Sequence, residues 1–164
     1  VCAGDSYVEE PDYSAFYRVG DSGVYTMQLT NLDTGHELTD HFEVRSSVAF
    51  VVERFGPTRI YPPATYEMKI KITAKQDFDG EIYEYVPDTF EIKDVLQEII
   101  SSTASSGVAF IDYRGISPAL EEDTTQLLWL STMNNNDSAT ITYIFDAPDV
   151  SPEFYLLGPM EFYE

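Results

Sequence analysis

Tyr66-Glu67-Met68-Lys69-Ile70-Lys71-Ile72-Thr73 alternates without a fault. Successive side chains of a strand point to opposite faces, so Tyr66, Met68, Ile70 and Ile72 turn inward while Glu67, Lys69, Lys71 and Thr73 meet water. Downstream, Glu81 to Val86 and Thr89 to Ile92 read as short strands parted at Pro87, which has no N–H to give a central ladder. Val108 to Tyr113, Gln126 to Ser131 and Ala139 to Phe145 are further strands, the last two separated by an Asn134-Asn135-Asn136-Asp137 turn. Asp94 to Ser102 is the exception. Its Val95, Leu96, Ile99 and Ile100 have helical spacing and predict a short helix, stopped by the Ser/Thr/Gly run that follows. Upstream, Ala15, Tyr17 and Val19 share one side of a strand, Gly20-Asp21-Ser22-Gly23 is a turn, and Val24 to Thr30 is its partner in a predicted hairpin. After the turn cluster Asn31 to Gly35, the stretch His41 to Arg54 carries Phe42, Val44, Val48, Phe50 and Val52 at even spacing. Gly56-Pro57 and Pro62-Pro63 then break the chain. The fold class expected is all-β, with a strand segment over 1–60 and a β-sandwich over 61–164.

Composition agrees. Twelve Tyr and ten Phe among 164 residues suit a pleated, half-buried surface, and 43% hydrophobic content supplies a core. The formal net charge of −20 repels phosphate backbones and anionic headgroups, so nucleic acid is excluded as a partner. No apolar run approaches the roughly 20 residues that span a bilayer as a helix, and no transmembrane segment is expected. The single cysteine, Cys2, rules out an intrachain disulfide. A chain starting at Val1 without Met reads as a processed or trimmed end, consistent with a removed export signal.

Residues 66–148 resemble the immunoglobulin-like cell-surface repeats of bacteria and archaea that include the DUF11 and CARDB families. The pieces that carry the resemblance are Tyr66 to Ile72, Gly80 to Ile92 with Pro87, Leu127-Leu128-Trp129-Leu130, and the Thr-rich Ser138 to Phe145. The stretch Phe145 to Pro159 is similar to segments of large surface proteins inferred for uncultured bacteria. The resemblance implies an immunoglobulin-like β-sandwich, an extracellular or cell-surface location, and a role like that of spacers, stalks and polymer subunits.

No catalytic pattern competes with that reading. His36 and His41 sit near a predicted turn without a nucleophile elbow, and HExxH, CxxC and glycine-rich phosphate loops are absent from the sequence. The one metal-like constellation is Asp77-Phe78-Asp79-Gly80-Glu81, whose alternate carboxylates resemble the opening of a calcium loop but lack its twelfth-position Glu, and which an Asp-Gly hairpin turn also explains. Calcium through Asp77, Asp79 and Glu81 is the only cofactor weighed. Glu121-Glu122-Asp123 reads as a solvated loop. Lys69 and Lys71 point away from the core, against an internal isopeptide bond, and Asn136-Asp137-Ser138 is a glycosylation sequon on a turn.

The apolar ending, Phe154, Leu156, Met160 and Phe162, must be covered by something. The expected function is a subunit of an extracellular fibre or surface layer, with copies joined by β-strand addition through these residues or through Ala15, Tyr17 and Val19. The alternatives are a monomeric spacer repeat, whose end strand completes its own sheet, and a module that binds glycans through exposed Tyr rings.

Overall fold

A computed structural model describes residues 16–57, 60, 63–100, 106–111, 124–150 and 155–164. Among them the chain is all-β, and no helix long and apolar enough to cross a membrane occurs. The strands are β1 (Gly23–Thr30), β2 (Glu37–Val44), β3 (Phe50–Phe55), β4 (Thr65–Ala74), β5 (Phe78–Pro87), β6 (Glu91–Ile100), β7 (Gly107–Ile111), β8 (Thr124–Met133), β9 (Ser138–Asp146) and β10 (Met160–Tyr163). Eight of them build an immunoglobulin-like sandwich of two antiparallel sheets, ordered β3-β4-β9-β6 and β10-β5-β8-β7. From β4 onward every connection crosses between the sheets except that from β7 to β8.

The quoted stretch sits at the centre of this arrangement. In β4, Tyr66, Met68, Ile70 and Ile72 are buried and the intervening residues are exposed or half-exposed. They meet Ile141, Tyr143 and Phe145 of the neighbouring β9, and the facing sheet contributes Ile82, Val86, Leu127, Trp129 and Met133. Each large apolar side chain fully withdrawn from water contributes about 1.5–3 kcal/mol, so this layer is a major source of the driving force for folding. Lys69 and Lys71 face water beside Glu67 and Glu53.

Three expectations are corrected. Of the predicted helix over 94–102, residues 94–100 belong to strand β6, paired with β9, and 101–102 lie outside the described residues. A bulge between Ile92 and Asp94 inserts Lys93 and shifts the alternation by one, so the apolar letters no longer fall at even spacing. Secondly, the N-terminal hairpin is formed by β1 and β2, and the described residues 16–19 of the predicted first strand belong to no strand. The Asn31 side chain accepts the Asp33 and Thr34 N–H groups at 2.9 and 3.2 Å, and Gly35 supplies the left-handed conformation (φ 74°) that closes the turn. Lastly, β3 pairs with β4, so the sandwich begins at Phe50 and not at residue 61.

Candidate functional site

β3 and β10 are the edge strands on one side of the sandwich, and their inward residues meet across the gap between sheets. Phe162 stacks on Phe50 with ring centroids 3.9 Å apart, and both rings stand edge-on to Phe78. Four residues further along β3, in the same inward phase as Phe50 and Val52, stands Arg54. Opposite it is Glu84 of β5, in phase with the buried Ile82 and Val86. The Arg54 guanidinium donates to Glu84 Oε2 at 2.7 Å, and the Tyr143 hydroxyl of β9 makes a longer contact of 3.4 Å to Oε1. The Glu84 side chain is wholly buried, whereas that of Arg54 is one-third exposed at 33%.

The segment before β10 lies over this pair. Gly158 N–H donates to the Tyr85 carbonyl at 2.8 Å, and Tyr85 N–H donates to the Pro159 carbonyl at 3.2 Å. Gly158 is in the left-handed region (φ 106°), and a Cβ there would press on the Arg54 guanidinium. Glycine is thus required twice, by conformation and by space. A second glycine, Gly80, lets the chain end approach β5, since a Cβ on it would overlap the Tyr163 carbonyl oxygen.

Burial in an apolar surround disfavours the ionised carboxylate and pushes Glu84 up to about 7, against the pull of Arg54 toward the charged form. Tyr143 is likewise raised by burial and then by the nearby Glu84 charge. The result is a buried acid that carries its proton in mild acid and loses it near neutrality, held between two sheets by one cation.

On the outer face of β5 and β10, tyrosines and glutamates interlock. Tyr83 donates to Glu81 at 2.6 Å, and Tyr85 and Tyr163 both donate to Glu161 Oε2, at 2.9 and 2.6 Å. Burial and the Glu161 contact push the Tyr85 hydroxyl up to about 12. At the opposite side of the sandwich a cleft of about 440 Å³ has Phe90, Ile92, Phe110 and Leu127 among its lining residues, with Asp88 and Asp94 also on its wall.

The residues singled out in the sequence are placed as follows. Asp77, Asp79 and Glu81 are not gathered round a common point. Each accepts from a protein donor, namely Asn135 N–H at 2.9 Å, the Thr132 hydroxyl at 2.9 Å and the Tyr83 hydroxyl, and no group of three metal-ligating side chains occurs among the described residues. Asn136 is exposed on the β8–β9 turn with φ 72°, while the hydroxyl of Ser138 in the same tripeptide lies 3.0 Å from that of Thr73. Tyr17 and Val19 precede β1 and belong to no strand. Leu156 lies in the segment before β10, and Met160 and Phe162 are in β10, paired with β5 of their own chain. Ala15, Phe154, Cys2 and Glu121-Glu122-Asp123 lie outside the described residues. His41 Nδ1 is 3.0 Å from the Thr26 hydroxyl, and His36 N–H donates to the Thr34 hydroxyl at 3.2 Å.

The Arg54–Glu84 pair is absent from the expectations above, although its signal is in the letters. Each residue is a charge on the apolar phase of its strand, and the two have opposite sign. A scan against protein-family models and a search of curated proteins find no match to the chain.

Proposed function

We propose that the chain is an extracellular structural subunit, building a surface fibre or layer in which copies join by β-strand addition. The observation that carries this reading is β10. It is a four-residue edge strand held by one neighbour, β5, at the end of a 13-residue connector, 147–159. Connections in compact domains have a median of about 4–6 residues, and 13 extended residues reach roughly 40 Å, about the width of a small sandwich. Such a strand can complete a neighbour's sheet with the same hydrogen bonds it makes here. The acidic surface and the resemblance to cell-surface repeats support the extracellular location.

A second reading, the monomeric spacer repeat, is favoured by the pairing of β10 with its own β5. Size-exclusion chromatography with negative-stain electron microscopy separates the two. Concentration-dependent oligomers and filaments are expected from the subunit, and a monomer that persists at millimolar concentration would leave the spacer.

A further inference from the structure

We propose that the groove now filled by β10, between β5 and the inward face of β3, is the receiving site for the β10 of a second copy, and that the Arg54–Glu84 pair behind it gates the exchange. This rests on the strand-addition reading above and adds to it a defined partner surface and a control.

The groove is specific. Gly80 leaves a notch for the backbone at Tyr163, Phe50 and Phe78 form two walls of a slot for Phe162, and the register places Met160 beside Glu84. An identical strand from another copy would make identical contacts, so exchange in itself costs only the association entropy and the opening of the closed form. The opening step is where Glu84 acts. With β10 in place, β3 contributes the Arg54 cation and β9 the Tyr143 hydroxyl, while β8 and β10 set the apolar Leu127 and Met160 beside the carboxylate. No other charged side chain is among the groups acting on it.

Lifting β10 and Gly158 away uncovers this side of the sandwich and lets water reach the pair. The open form therefore holds the proton less tightly than the closed one. Acid keeps the strand closed, and a rise through neutrality favours opening. With Glu84 returning from about 7 to its ordinary 4.5, the open population rises at most about 70-fold from pH 5 to pH 8.

The test uses Glu81→Cys with Tyr163→Cys, a register pair, in a Cys2→Ser background. Isotope-labelled and unlabelled copies are mixed, incubated at pH 5 or pH 8, then oxidised in a short pulse at one common pH and weighed intact. Cross-linked mixed pairs are expected, forming at least tenfold faster at pH 8, and Glu84→Gln should make the rate the same at both. If only single chains closed on themselves are found at either pH, the receiving site and the strand-addition reading both fall. Mixed pairs at equal rates at the two pH values overturn the gate alone. Native mass spectrometry of the unsubstituted chain, whose oligomers should form with the same pH preference, covers the case of a cysteine variant that folds poorly.

Discussion

Replacing Glu84 with glutamine removes a buried charge while keeping the side chain's size and its acceptor for Arg54. Glu84 is held at about 7 in the folded chain against an ordinary 4.5. A group whose folded value is raised stabilises the fold below the unfolded value, and that contribution is lost as pH rises through the folded value. The window is therefore pH 4.5 to about 7. Each unit of difference corresponds to about 1.4 kcal/mol, so the wild-type chain loses about 2–3 kcal/mol through this residue between pH 5 and pH 8. The glutamine variant does not, because it has no proton to lose, and at pH 5 the two chains should agree within about 1 kcal/mol. Urea unfolding at pH 5, 6, 7 and 8, followed by the fluorescence of the single, fully buried Trp129, measures both. The other carboxylates titrate alike in the two chains and cancel in the difference. The variant should gain on the wild type from pH 5 to pH 7 and level off toward pH 8, with unchanged denaturant slope. A difference that is flat, or that turns against the variant at high pH, would refute the reasoning: it would mean that Arg54 outweighs desolvation and that the pair is a net stabiliser.

Three further perturbations probe the same framework. Phe162→Ala removes the half-buried ring stacked on Phe50 and should cost about 2 kcal/mol in urea unfolding; a loss under about 0.5 kcal/mol would show that β10 does not close the core. Gly80→Ala puts a methyl group into the backbone at Tyr163, so hydrogen exchange of the Gly158 amide should lose protection while the β4–β9 ladder keeps it. Equal protection in variant and wild type would contradict the notch. Asp137 is buried and accepts the Ser106 hydroxyl at 2.5 Å and Asn134 N–H at 2.8 Å. Its replacement by alanine leaves those donors without their carboxylate and should destabilise the β8–β9 turn by about 2 kcal/mol, and a melting temperature within 1 °C of wild type would contradict that account.

How far the letters reach depends on how many physical demands fall on one residue. Strand β4 was readable because burial on one face and solvation on the other act on every position in turn, and nothing interrupts the period. Strand β6 misled because the bulge at Lys93 brings Ile92 and Val95, three residues apart, onto the same core-facing side, while the neighbouring Leu96 is apolar yet exposed, so that the apolar letters take a spacing that a helix would also produce. The outcome there was decided by pairing with β9, a contact about fifty residues away in sequence that no local window contains. The turn at Asn31 to Gly35 was legible for its chemistry, but its second strand was not. Glu37 to Val44 carries a charged residue at three of its eight positions, and Arg45 follows without a Gly or Pro to mark the end.

The ownership of β10 belongs to a different class of question. Alternation tells that Met160 and Phe162 need a groove, and the structure tells which groove fits, yet both facts are the same whether strand and groove lie in one chain or two. What differs between the two cases is the length of the connector and the free energy of opening. The first can be counted from the sequence once β9 and β10 are assigned. The second is concentrated in the groups that opening exposes, and Glu84, sealed behind Gly158 and held by Arg54, is the one among them that burial pushes up to about 7. If opening is controlled in this way, the control lies in a residue behind the strand, which Met160 of β10 covers whichever copy supplies it, and pH is the variable that should expose it.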